Sequence, residues 1–292
     1  VTPADVLLER QLDPFCANGV LATINKLADF SHSNAMAALV RSGKHRSELL
    51  ITLGKTAPPR YANFIGRYWN DPDASVRQAV ALALGLIDNE AVAAPTLIRL
   101  LARGDRADDF PVKWEAAAAL AAIAKRKGGA DVLRRLADLL HERNPMTVVL
   151  AARALAAAGD PRGIVKLREL TTHADPRVRE EAVLALGDFG GAGSAEVVTR
   201  RLKDDSLAVR AVAVYALGRI RGPAAAPVLR QAVAESLEYE KELERRRARG
   251  ESEQVLRERY GLGAYDLRET LHLATPAPPP PASPAPSLPP PR

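Results

Sequence analysis

The sequence predicts an all-α fold, an α-solenoid of stacked antiparallel helical hairpins, on three observations. Hydrophobic residues make up 47% of the 292 positions while aromatics make up only 4%, so Ala, Leu and Val must fill the interior at close range, which packed helices tolerate best. A short pattern recurs along the chain: Asp71-Pro72 before Val76-Arg77 and Ala83-Leu84-Gly85, Asp175-Pro176 before Val178-Arg179 and Ala185-Leu186-Gly187, and Asp205 before Val209-Arg210 and Ala216-Leu217-Gly218. Within each copy the apolar positions fall at offsets 0, 4, 7, 8 and 11 from the Val, as in Val76, Val80, Ala83, Leu84 and Ile87 or Val178, Ala182, Ala185, Leu186 and Phe189. That spacing is one face of an α-helix.

Taken in chain order, residues 1–44 read as a degenerate N-terminal hairpin, with Val20, Ile24 and Leu27 followed by Ala35 to Val40. It would cap the array, since a terminal repeat must present one polar face. The repeat array itself spans 45–235. Weaker copies at His45, Val112 and Thr147 complete the series, so the anchors stand at residues 45, 76, 112, 147, 178 and 209, separated by 31, 36, 35, 31 and 31 residues. Leu recurs at offset eight in all six copies and Ala at offset seven in five. The small residue admits a neighbouring helix, and the Leu fills the space beside it.

Each first helix is followed by a second apolar stretch: Pro95 to Leu101, Val132 to Leu140, Ile164 to Leu170, Val197 to Leu202 and Pro227 to Val233. Pro95 and Pro227 are expected in the first turn of their helices, where a proline costs no hydrogen bond. Asp71, Asp175 and Asp205 are expected to accept hydrogen bonds at helix N-termini. A lone hairpin cannot bury both faces, so the hairpins must stack.

Asp-Pro, then Val-Arg, then Ala-Leu-Gly, recurring near 31 residues, resembles the short bacterial HEAT repeats related to those of phycobilin lyases, over about residues 45 to 235. The resemblance implies a superhelical array that acts mainly as an adaptor, with a bilin-lyase-like activity as an alternative. It also implies that Arg77, Arg179 and Arg210 form the ladder that bonds adjacent repeats. Deoxyhypusine hydroxylase, another HEAT-repeat protein, would need several His-Glu pairs on successive repeats to hold two irons; here the one such pair is His141-Glu142.

Past the array, residues 236–274 read as charged C-terminal helices. Glu238 to Arg259 carries seven acidic and seven basic residues, and a break is expected near Gly250. Residues 275–292 are almost only Pro, Ala and Ser, a composition that cannot form a core and reads as an extended disordered tail. No stretch reaches the roughly 18 uncharged apolar residues of a membrane span. Val1 to Leu12 carries Asp5, Glu9 and Arg10 and does not read as a signal peptide. Cytoplasmic residence is the default expectation, conditional on Val1 being the true start.

Little in the chain points to catalysis, and no catalytic residue, metal ligand or cofactor is assigned. Gly54-Lys55-Thr56 imitates the end of a phosphate-binding loop, but the Gly that such a loop needs five residues earlier is Leu49, so the triplet reads as a turn at a repeat end. Cys16 has no disulfide partner and no base encoded beside it. None of the five histidines stands four residues from another.

The stronger signal is in the second helices. Aligning Pro95 with Val165 and Pro227 puts Ile98, Arg134, Arg168, Arg200 and Arg230 in one column, and Arg99, Arg135, Glu169, Arg201 and Gln231 in the next. Second helices usually line the concave face of such arrays, so these arginines are expected to form a stripe that grips the carboxylates of an acidic protein partner. A solvated face neutralised by Asp138, Glu169 and Glu196 is the plainer reading. The net charge of +6, from 41 Lys and Arg against 35 Asp and Glu, fits an acidic partner without requiring one. Nucleic acid is the alternative partner, with Lys125-Arg126-Lys127 on the phosphates and a steep loss of binding with salt. The shortage of aromatics for base stacking counts against it.

Overall fold

The computed structural model describes residues 33–43, 45–104, 109–126, 129–231, 245 and 248–250. The chain divides into two compact units, Val1–Gly190 and Gly191–Arg292. Cys16, the Val20, Ile24 and Leu27 face, nearly all of the charged segment 236–274 and the whole of 275–292 lie outside the described residues.

In the first unit, helix α1 (Ser33–Ser42) leads into α2 (Arg46–Thr56), followed by a 3-10 turn and α3 (Ala62–Gly66). Three further hairpins follow: α4 (Ala74–Leu86) with α5 (Glu90–Ala102), α6 (Phe110–Ala124) with α7 (Ala130–Asp138), and α8 (Pro145–Ala158) with α9 (Pro161–Leu170). The first helix of the next copy, α10 (Pro176–Phe189), closes the unit. The first helices α2, α4, α6, α8 and α10 pack on one another in series, and each second helix packs beside its own first helix. The second unit holds α11 (Ala195–Arg200) and α12 (Leu207–Arg221), which pack together. Among the described residues there is no strand.

The motif residues are the core. The six leucines at offset eight, Leu53, Leu84, Leu120, Leu155, Leu186 and Leu217, are each 0% exposed. The small residue at offset seven lets backbones meet: a Cβ added to Gly54 would lie 2.5 Å from Ala83 Cα, and one added to Gly85 would lie 2.8 Å from Ala119 Cβ. Ala83 and Ala119 are the offset-seven alanines of the following copies, so these two glycines each receive the Ala of the next copy. The first-helix side is therefore a tight seam, closed by helices whose backbones nearly touch.

The basic residue at offset one joins these repeats. Arg46 Nη1 donates to Asp71 Oδ2 at 3.3 Å, Arg77 Nη2 to Asp109 Oδ1 at 2.6 Å, and Lys113 Nζ to Thr147 Oγ1 at 3.3 Å, each acceptor belonging to the following copy. Arg77 also donates to the carbonyls of Asp71 and Pro72, six and five residues back. Arg179 repeats that local bond to His173 and Ala174, and Arg210 to Asp204 and Asp205. The ladder thus has two parts, a clamp on the turn before each first helix and a rung to the next repeat.

Several details differ from expectation. Pro95 lies inside α5, not in its first turn, because Glu90 to Ala93 already form a turn of helix ahead of the apolar run. Pro227 does fall in the first turn of a helix that begins at residue 226. Asp175 caps α10 by accepting from Arg177 N at 2.9 Å, but α4 is capped by Asp73, and Asp71 instead accepts from Asp73 N. Ahead of α12 the acceptor is Asp204, bonded to Ser206 N, rather than Asp205. Gly54-Lys55-Thr56 is the last turn of α2, with Gly54 pressed against α4. Phe189, expected in the core at offset eleven, is 38% exposed.

Candidate functional site

The arginine columns are borne on the second helices, and local acids engage much of their charge. In α7, Arg134 and Arg135 both donate to Asp131, whose carboxyl is held below its usual range by those two bonds. Both arginines are exposed, at 67% and 41% of their side chains. Arg168 of α9 is half-buried, and its helix neighbour Glu169 pairs with Lys166 instead. In the second unit Arg200 pairs with Glu196, Arg201 with Asp204, and Arg230 is exposed. Of the neutralising acids expected, Glu196 acts as such, while Asp131 rather than Asp138 serves α7. Lys125 is exposed and Arg126 donates to Gly85 O, while Lys127 lies outside the described residues.

A second arrangement lies on the first helices of the first unit. A cleft of about 470 Å³ opens where the N-terminal halves of α6, α8 and α10 come together, with Phe110, Lys113, Met146, Glu180, Glu181 and Leu184 among its walls. Its position follows from the caps. Asn144 accepts from Met146 N and Thr147 N, Asp175 from Arg177 N, and Pro145 and Pro176 start the two helices, so α8 and α10 begin at defined points beside α6.

Arg153 of α8 braces the surroundings of the cleft. Its guanidinium lies 4.0 Å from the Trp114 ring centroid and 5.4 Å from that of Phe189. It donates to Glu181 Oε1 at 3.3 Å and to Asp188 Oδ2 at 3.0 Å. One arginine on α8 thereby ties α6 to α10 through two rings and two carboxylates. Burial pushes the Glu181 carboxyl up to about 8, with Arg153 opposing the rise and Glu180 and Asp188 adding to it. Lys113, 1% exposed, is satisfied in part by Thr147.

Glu180 and Phe110 are the unsatisfied parts of this wall. Glu180 is half-buried, its carboxyl is raised by desolvation, and among the described residues it has no hydrogen-bond or ion-pair partner. Phe110 is 41% exposed and packs on Trp114 at a tilt of 48°, 6.1 Å between centroids. Sequence reasoning singled out none of these side chains for function. Their signal is positional: Trp114 and Glu180 stand at offset two, and Arg153 and Leu184 at offset six, the motif positions that the apolar face leaves free.

Among the described residues no helix is long and apolar enough to cross a membrane, and no group of three or more His, Cys, Asp or Glu is placed to hold a metal ion. A family model described as HEAT repeats matches residues 33–121 and 164–245, together more than half of the chain. Among solved structures, the chain is similar to the complex of CpcE and CpcF of phycocyanin lyase from Nostoc sp., at 21% identity over 80% of this chain and 94% of that one, with a TM-score of 0.41. It is also similar to an engineered protein, at 22% identity over 76% and 97% of the two chains and a TM-score of 0.36. Human deoxyhypusine hydroxylase in complex with glycerol matches at 20% identity over 75% and 96%, with a TM-score of 0.30. No curated protein matches.

Proposed function

The chain belongs to the HEAT-repeat family, and on that premise we propose that it is a protein-binding scaffold that holds its partner on the first-helix face of residues 110–189. One observation carries the reading: the stack buries its motif leucines completely, yet leaves Phe110, in the wall of a cleft, at 41% exposure and Phe189, at the end of α10, at 38%. Large apolar groups held at the surface of a rigid frame are what a protein partner covers.

The arginine columns support a second reading, an acidic partner bound through Arg134, Arg135, Arg168, Arg200, Arg201 and Arg230. What favours it is the exposure of the pairs that Arg134, Arg135 and Arg200 make. Pairs this exposed are screened by water and contribute little to stability, so a partner's carboxylates can replace the resident acids.

Affinity capture from the source cell separates the two. The partner retained by the wild type is expected to be lost by the double variant Phe110→Ala, Leu184→Arg and kept by Arg134→Glu, Arg168→Glu. Retention by the first variant and loss by the second would transfer the function to the arginines, and helix content by circular dichroism checks that both variants fold.

A further inference from the structure

Resting on the proposed first-helix surface, we propose that its cleft seats an arginine side chain presented by the protein partner, with Glu180 as counter-ion and Phe110 as the ring against which the guanidinium stacks. The molecule supplies its own template for this chemistry. Arg153 is held between the Trp114 and Phe189 rings while Glu181 and Asp188 take its donors. The same ingredients recur in the cleft wall, an aromatic ring in Phe110 and a carboxylate in Glu180, with the apolar Met146 and Leu184 to cover the aliphatic stem.

Charge accounting gives the sign of the ligand. Of the charged side chains lining the cleft, Arg177 is paired with Asp175, Lys113 donates to Thr147, and Glu181 is engaged by Arg153 from behind. Glu180 is left over, half-buried and short of water. A cation seated against it would favour its ionised form, which burial disfavours. An anion would face the Glu180 carboxylate, with Arg177 already paired to Asp175. Arginine fits better than lysine because its planar group both stacks on a ring and donates in parallel to a carboxylate.

The test uses the full chain and two fluorescein-labelled 12-residue peptides of alternating Ala and Leu, one carrying four arginines and the other citrulline at the same positions. Citrulline keeps the length and planar end of arginine but carries a neutral urea, in which a carbonyl oxygen replaces one terminal NH2 of the guanidinium. Because the chain carries a net +6, general electrostatics work against the arginine peptide, so a preference for it reports a local site. Fluorescence anisotropy at physiological salt is expected to give roughly tenfold tighter binding of the arginine peptide, and Glu180→Gln should erase that preference while leaving the citrulline affinity unchanged.

Equal binding of the two peptides, weakened for both by Leu184→Arg, would overturn the arginine seat and leave the apolar docking face standing. An arginine preference that survives Glu180→Gln would place the cation elsewhere and also overturn the proposal. If neither peptide binds at concentrations up to about a millimolar, the seat and the face fall together.

Discussion

At the scale of single residues, Glu181 has the clearest consequence in solution. Burial raises its carboxyl from the ordinary 4.5 to about 8 in the folded protein, so the folded state holds a proton that the unfolded chain has already released. Stability from this group is complete below about pH 4.5 and is lost as pH rises toward 8. The groups facing it are Arg153 from α8 and Glu180 and Asp188 from α10, with Lys113 of α6 across the cleft. Asp131, Asp160 and Asp175 are shifted the other way, below 3.8, and complete their titration before this window opens. The wild type is therefore expected to melt several degrees lower at pH 8.5 than at pH 5, a loss on the order of a few kcal/mol. Glu181→Gln should flatten that slope, because an amide has no proton to lose and Arg153 keeps Asp188. Melting curves at five or six pH values decide it; parallel slopes for the two proteins would remove Glu181 from the account.

At the scale of the helix, the seam between first helices depends on Gly54. A Cβ there would stand 2.5 Å from Ala83 Cα and 2.8 Å from Ala83 O, backbone atoms that cannot rotate away. Gly54→Ala gains about 1 kcal/mol of helix propensity but forces α2 and α4 apart, and overpacking of this kind costs about 1–3 kcal/mol. A net loss is expected in thermal melts, and a variant as stable as the wild type would show that the seam is looser than the geometry requires. This seam was legible in the chain because Leu at offset eight and Ala at offset seven repeat under one constraint, the approach of identical neighbours. The second helices were less legible. Apolar runs mark their middles, so the pattern puts Pro95 at a helix start although Glu90 to Ala93 lie ahead of it, and it gives no second helix after His45, where α3 has only five residues. The arginine columns were visible because they recur. The cleft was not, since Phe110, Arg153 and Glu180 each belong to a different copy and come together only when the copies stack.

Across the repeat stack of the first unit, each copy contacts chiefly its neighbours, so the bonds between copies determine how far unfolding spreads. Arg77 is such a bond. Its side chain is fully buried, clamps the turn before α4 through the carbonyls of Asp71 and Pro72, and reaches Asp109 ahead of α6. Asp109 is itself 1% exposed, and Arg103 Nε lies 3.7 Å from its second oxygen. Removing the guanidinium alone strands most of a buried carboxylate, which costs about 3–5 kcal/mol, whereas replacing both members of such a pair by apolar groups is often neutral. Arg77→Met is therefore expected to lower the unfolding midpoint in urea and to separate the transition into two phases, the copies before α6 unfolding first. Adding Asp109→Leu to Arg77→Met should recover much of the midpoint, because no charge is then left in the seam. The two carbonyls lose their donor in either variant, so recovery should be incomplete and the residual difference measures the clamp. Hydrogen exchange should report the same order, with amides of α2 and α4 exposed before those of α8 in the single variant. A single-phase transition at the wild-type midpoint would mean that the rung carries no coupling and that the glycine and alanine seam alone holds the copies together.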